Sequence, residues 1–408
     1  MHRRQFLQQT TLGATATIVT VGVQGWAYRS PAQTAKPKRL IVVFLRGAVD
    51  GLSVVVPYRE TAYYEARPRI ALPRPGGEGS ILPLDKRFGL HPALRSLFPL
   101  WQQRSLAFVQ ACGSPDATRS HFEAQDYMET GTPGIKTTRD GWMNRLMATL
   151  PGRSPVRAVN VGSTTPRILS GPMTVASLPT GRNATRLTPL DRSQIRTAFD
   201  RLYNGKDTLS QAYQEGQLAR QEILKELQAD MQMADNGAPG AAGLAGDARR
   251  LARLMVRDPQ VQLGFLAVGG WDTHVNQGSS KGQLATRLNW LAQGLATLVE
   301  ELKPIYGETV ILVMSEFGRT LRENGNGGTD HGHGNVLWAM GGPIKGGQVY
   351  GQWPGLATAQ LYEGRDLAIT TDFRSVLSPL LQNHLGLDQA QLAQVFPKYG
   401  FDQSVKIM

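Results

Sequence analysis

Five short stretches of this chain set carboxylates or imidazoles beside glycine. They are Arg46-Gly47-Ala48-Val49-Asp50-Gly51, the run from Thr118 to Gly131, Gly269-Gly270-Trp271-Asp272-Thr273-His274, Ser315-Glu316-Phe317-Gly318-Arg319-Thr320 and Asp330-His331-Gly332-His333-Gly334-Asn335. Glycine lets backbone approach a bound ion or ester closely. A hard or borderline divalent cation needs carboxylate oxygens and imidazole nitrogens, which these stretches supply. Asp272 and His274 lie two residues apart, as do His331 and His333, so in extended backbone each pair points the same way. Of the seven histidines, His274, His331 and His333 fall in these stretches and His121 in the second of them.

The stretch Thr118-Arg119-Ser120-His121-Phe122-Glu123 supports two compatible readings. Ser120, with Glu123 three residues on, has the form of a capping box at the start of a helix. The same placement puts a serine oxygen at the positive end of a helix, where an anion is stabilised and where coordination to a metal would activate the oxygen.

Residues this far apart in the chain meet only if a fold aligns the elements that carry them. Arg39 to Leu45 is a continuous apolar run, the pattern of a buried strand in a mainly parallel sheet. Leu106–Ala111, Val261–Val268, Thr309–Ser315 and Asn335–Gly341 are further candidate strands. Between them, Leu284, Leu288, Leu291, Leu295, Leu298 and Leu302 recur at alternating four- and three-residue spacing, which predicts a helix over Gln283–Lys303 ended near Gly307. Helix alternating with strand predicts an α/β fold: a mainly parallel central sheet with helices on both faces. Sites in such sheets form beyond the carboxyl ends of the strands; the stretches at Arg46, Gly269 and Ser315 follow candidate strands and could converge there, and Asp330–Asn335 lies just before another. Residues 192–246 read as a polar helical insertion ending in a flexible Gly/Ala/Pro loop, either a cap over the site or a plain surface hairpin.

The chain has 408 residues, 41% of them hydrophobic and 19% charged, which is enough for a large core and argues against disorder. Its net charge of +12 favours anionic partners, but the Lys and Arg are scattered and no nucleic-acid motif occurs. The single cysteine, Cys112, excludes an intramolecular disulfide and a cysteine-based zinc cluster, and its place at the end of an apolar run reads as a buried thiol. The first residues read as an export leader. Arg3-Arg4 precede Phe6-Leu7, and no charge follows from Gln5 to Tyr28. We take residues 1–35 as a twin-arginine signal, with an uncleaved anchor as the alternative, and 36–408 as the mature domain, expected in the periplasm or otherwise outside the cytoplasm after passage through the twin-arginine translocase.

Read in order, these stretches resemble the bacterial family catalogued as domain of unknown function 1501, and through it the alkaline phosphatase and sulfatase superfamily. The resemblance also draws on Asp140-Gly141-Trp142, on Gly341-Gly342-Pro343 and on Thr371–Leu377, and so spans nearly the whole mature chain. It implies an alkaline-phosphatase-like fold and a divalent metal, zinc first, with calcium, magnesium or manganese as alternatives. Carried across, Asp50 matches the first metal-binding aspartate and Ser120 the nucleophile. Asp272 and His274 match the aspartate and histidine of one metal, Glu316 a later acidic ligand and His331 the late histidine, with Asp330 and His333 as further metal candidates. Arg46 or Arg319 would stabilise charge developing in the transition state. The implied reaction is hydrolysis of a phosphate or sulfate ester, on an anionic small molecule or an envelope component. Three departures stand against a full match. Asp272 and His274 are closer in sequence than the superfamily's usual pair, Phe317 stands where a histidine is usual, and the sulfatase cysteine motif is absent. The alternative function is a periplasmic binding or assembly protein that retains the fold.

Overall fold

The computed structural model describes residues 16–21, 24–29, 36–151, 157–162, 164–178, 180, 235–402 and 405–408. The arginine pair of the leader and most of the 192–246 insertion lie outside the described residues. The chain divides into two units, Met1–Pro37 and Lys38–Met408. In the first, Ala16–Val21 pairs antiparallel with Gln24–Arg29. Among the described residues no helix is long and apolar enough to cross a membrane.

Among the described residues, the second unit is built on a nine-stranded sheet. Its strands, in chain order, are β1 (Arg39–Leu45), β2 (Leu106–Gly113), β3 (Ala158–Val161), β4 (Ala176–Leu178), β5 (Leu263–Val268), β6 (Thr309–Ser315), β7 (Asn335–Gly341), β8 (Val349–Tyr350) and β9 (Thr371–Asp372). Their order across the sheet is β8-β2-β7-β6-β1-β5-β3-β4, with β9 also paired to β2. The β6–β7 and β7–β2 pairs are antiparallel and the rest parallel, so among the described strands β7 alone runs against its neighbours. The five expected strands are all present.

Both faces of the sheet are covered, which is why β1 reads as an unbroken apolar run. Ile41, Val43 and Leu45 point to one side, against α3 (Leu244–Arg257) and α4 (Gln283–Glu301). Leu40, Val42 and Phe44 point to the other, against α2 (Trp142–Thr149), α5 (Phe373–Leu385) and α6 (Gln389–Val395). The expected leucine stripe of α4 is buried along its length. The helix gives way after Glu301 to a 3-10 segment, Lys303–Glu308, in which Pro304 tightens the turn and Gly307 lies. Cys112 lies within β2, fully enclosed, and burial pushes its thiol pKa up.

Strand register sets the position of the site. Leu45 of β1 sits opposite Val268 of β5 and Ser315 of β6, so the segments that follow leave the sheet at one level. β7 enters where the others exit, because Asn335 pairs with Cys112 at the end of β2. An antiparallel strand thus delivers the segment that precedes it, Asp330–Gly334, to the carboxyl ends of its parallel neighbours.

Candidate metal centre

Helix α1 (His121–Thr130) follows β2, and its first residue, His121, reaches Glu316 and His331. Ser120 is its N-cap, but the capping box expected there is not formed. Thr118 Oγ1 takes the amide of Ser120 at 3.2 Å and donates to Glu123 Oε2 at 2.8 Å. The threonine two residues upstream therefore takes both groups of one arm of the box, and the exposed Ser120 hydroxyl makes no capping bond.

His121, Asp272 and His331 each aim one ligand atom at a common point, all within 4.8 Å of one another. His121 Nε2 lies 2.9 Å from His331 Nε2 and 3.6 Å from Asp272 Oδ2. Asp272 Oδ1 is 3.4 Å from His331 Nε2. His274 joins from the rim, its Nε2 3.0 Å from His331 Nε2 and 2.8 Å from Asp272 Oδ1. Metal–nitrogen bonds of about 2.0 Å in a tetrahedron put ligand atoms about 3.3 Å apart, close to this spacing. Side-chain exposure rises from 10% at His121 to 38% at His274, so the group opens to solvent on the His274 side.

The far nitrogen of each ring is held. His121 Nδ1 donates to Glu316 Oε1 at 2.8 Å, and His331 Nδ1 donates to the Arg119 carbonyl at 3.0 Å. His274 Nδ1 meets Asp330 Oδ1 at 3.2 Å. A neutral imidazole has one N–H, and these acceptors draw it to Nδ1, which leaves lone pairs on the facing Nε2 atoms. Two lone pairs at 2.9 Å repel unless positive charge lies between them, either a proton on a ring or a cation. Acceptors behind metal-ligating histidines are the usual outer partners that fix the ring tautomer.

The carboxylates around the rings are ionised. Burial works against charge on Asp272, but hydrogen bonds from His121, His274 and His331 and the nearby Arg319 hold its carboxyl far below the usual range. Burial likewise opposes charge on Glu316, and its bond to His121 overrides that and keeps the pKa low. Glu316 Oε1 also accepts from Gly47 N at 2.8 Å and Gln125 Nε2 at 2.9 Å. With no metal bound, burial lowers the His121 pKa, but bonds to Asp272 and Glu316 outweigh it and raise the ring to about 9.

The residues expected from the sequence fall into distinct places. Asp272, His274 and His331 converge. Glu316 and Asp330 stand behind the rings, as partners of His121 and His274. His333 turns away and stacks on Tyr362, ring centroids 4.3 Å apart, with its pKa lowered to about 4 by burial. The simple alternation that would align it with His331 is broken because Gly332 and Gly334 pair with different segments, Gly318 and Leu367. Arg319 is buried and donates to Asp272 Oδ1 at 2.6 Å, which fixes that carboxylate from behind. Arg46 lies under α1, paired with Glu129 at 2.6 Å and bonded to Gln125. Asp50 faces Arg67, Ser53 and Gln277.

Two further residues take part that the resemblance does not assign. His121 stands directly after the more conspicuous Ser120, and its place at the start of a helix beyond a strand end suits ligation. Asp235, from the edge of the insertion, accepts from Gly270 N at 2.6 Å. Burial pushes its carboxyl up to about 6 against that bond. Close backbone approach also matters. A Cβ on Gly318 would lie 1.9 Å from the Gly334 carbonyl, and one on Gly332 would lie 2.4 Å from Arg319 backbone. Only glycine at both positions lets the Glu316 and His331 segments lie against each other.

No curated protein matches the chain in sequence. Among solved structures it is similar to a protein of the alkaline phosphatase superfamily from Vibrio parahaemolyticus, at TM-score 0.39 and 9% identity over 78% of this chain. The chain spans 63% of the length of that structure. It is also similar to the C-terminal periplasmic domain of EcEptC from Escherichia coli in complex with Zn, at TM-score 0.36 and 9% identity, covering 75% of this chain and 73% of that one. A third likeness is to the lipoteichoic acid synthase LtaP from Listeria monocytogenes, at TM-score 0.35 and 11% identity, covering 83% and 75%. Residues 101–396, which carry α1, the whole imidazole group and most of the sheet, match the family described as "Protein of unknown function (DUF1501)", and the chain belongs to that family.

Proposed function

We propose that this protein is an exported, metal-dependent hydrolase of phosphate or sulfate esters. The observation that carries the reading is the convergence of imidazole Nε2 atoms whose Nδ1 atoms are each engaged by an oxygen. Imidazole-rich sites suit zinc and its neighbours better than calcium or magnesium, which prefer all-oxygen sets. A divalent ion held there supplies Lewis-acid charge to the ester oxygens and to an attacking hydroxyl. His121, His331 and Asp272 are the ligands, and His274 completes the set from the solvent side. Arg319 orients Asp272, while Glu316 and Asp330 orient the rings.

Ser120 is the proposed nucleophile. It is exposed, its hydroxyl is not spent on a cap, and it directly precedes the ligand His121. The N-terminal amides of α1 favour the anionic group of the substrate. Along the same helix runs a cavity of about 460 Å³, lined by Phe122, Gln125, Asp126, Tyr127, Arg167 and Asn236 among others. Phe122 is 77% exposed beside it. A cavity of this size accepts the alcohol portion of an ester, with Phe122 as its apolar contact.

The test is elemental analysis of protein purified from its native compartment, paired with hydrolysis of aryl phosphate and aryl sulfate. We expect a bound divalent metal and turnover of one substrate class. His331→Ala should lose both while its far-ultraviolet circular dichroism is unchanged. Full metal content in that variant would show that His331 is not a ligand and place the ion elsewhere. Phe122→Ala should raise KM for aryl esters and leave metal content alone; an unchanged KM would place the alcohol elsewhere.

A further inference from the structure

We infer that the guanidinium of Arg67 is the resident cation at Asp50, so that the centre takes one divalent ion and has no second metal site. The inference rests on the metal centre proposed above and concerns how many ions it holds.

Asp50 follows β1 and would be the first metal ligand by resemblance, yet its carboxylate is already complete. Arg67 reaches it with two nitrogens, NH1 to Oδ2 at 2.6 Å and NH2 to Oδ1 at 3.0 Å. Oδ2 also accepts from Ser53 Oγ at 2.7 Å and Gln277 Nε2 at 2.7 Å. Both side chains are wholly enclosed, each 0% exposed. A guanidinium has five N–H donors, and each of Arg67's has an acceptor. Nε donates to the Leu321 carbonyl at 2.8 Å, NH1 also to Ser53 Oγ at 3.0 Å, and NH2 also to the Thr320 carbonyl at 2.9 Å. An incoming cation would have to displace a bidentate partner and strand these donors away from water. Breaking a buried pair from one side is the costly direction, because the remaining charge is left uncompensated.

The pair also abuts the proposed metal ligands. Gln277, which donates to Asp50, accepts from Thr273 Oγ1 at 2.7 Å and from Thr329 Oγ1 at 3.0 Å. Thr329 Oγ1 in turn takes Arg319 Nε at 3.2 Å, and Arg319 holds Asp272. Asp50 and Asp272 therefore each carry a guanidinium. Asp50 is saturated by its own, whereas Asp272 keeps Oδ2 facing His121.

The experiment counts metal per chain in the full protein, by elemental analysis and by native mass spectrometry, and then titrates the stripped protein with zinc in a calorimeter. One equivalent is the expected result. Two equivalents would overturn this inference and leave the metal reading standing; none would remove the metal reading and this inference with it. Asp50→Asn should still bind one equivalent, with affinity reduced by less than the roughly 10–100-fold that loss of an outer partner costs. Loss of the ion from a folded Asp50→Asn protein would make Asp50 a ligand and overturn the inference. Should that variant not fold, the count on the unmodified protein decides alone.

Discussion

The histidines separate by what stands behind each ring. His121 and His331 have acceptors on Nδ1 and a shared contact at Nε2. His333, two residues from His331, has an aromatic face instead. His333→Ala should therefore keep full metal content while His331→Ala loses it; equal loss would mean that the segment is ordered differently. His91 is a third kind. Its Nδ1 accepts from Ala93 N at 3.0 Å and its Nε2 donates to the Ser279 carbonyl at 3.2 Å, so the buried ring is neutral. Burial lowers its pKa from 6.5 to about 4, partly offset by the bond to Ser279. The unfolded chain then binds more protons between these values. The stability contributed by His91 is full above pH 6.5 and is lost as pH falls to about 4, a swing of about 3 kcal/mol. His91→Asn keeps an acceptor for Ala93 and should flatten that limb, read as urea midpoints at pH 7.5 and 4.5. A variant with the same pH slope as the unmodified protein would place the titration elsewhere.

Among the elements, α4 shows how local pattern and packing combine. Its stripe leucines are buried, and Leu291 is 0% exposed. Leu291→Ala should cost about 2–5 kcal/mol by urea denaturation, and a loss below about 0.5 kcal/mol would contradict its burial. Gly294 lies on the same face against α3. A Cβ there would come within 2.5 Å of Leu244 Cγ, close to the root of that side chain. In an exposed helix Gly→Ala gains about 1 kcal/mol, whereas overpacking costs about 1–3 kcal/mol. The clash should prevail, so Gly294→Ala is expected to lower stability although it raises helix propensity. A more stable variant would show that α3 can shift to make room.

For the whole molecule, the fold gathers the proposed site at one end of the sheet. The covered faces carry the core, and the strand ends carry His121, Asp272, His274 and His331. The twin-arginine reading makes a separate prediction about the chain as cargo. Replacing Arg3 and Arg4 together with Lys should leave the protein in the cytoplasm, measured by cell fractionation, and normal export of that variant would remove the reading. A folded, metal-loaded protein is the cargo such a route suits.

The sequence by itself determined the layers and the neighbourhood of the site. Short apolar runs with no polar alternation fit strands covered on both sides, and leucines at alternating three- and four-residue spacing share one face of a helix. Glycine-flanked acids and histidines next to those strands marked the candidate site. Which of them meet was decided by tertiary structure. Asp50 was legible as a strand-end carboxylate, but its partner Arg67 reaches it through a side-chain geometry that no spacing encodes. His331 and His333 share a spacing and separate because Gly332 and Gly334 pair with different segments. His121 enters because β2 and the reversed β7 lie side by side, which brings the start of α1 over the His331 segment. Ligand sets are fixed by distances of a few ångströms between side chains tens to hundreds of residues apart, and only the pairing of strands and the packing of loops above them sets those distances.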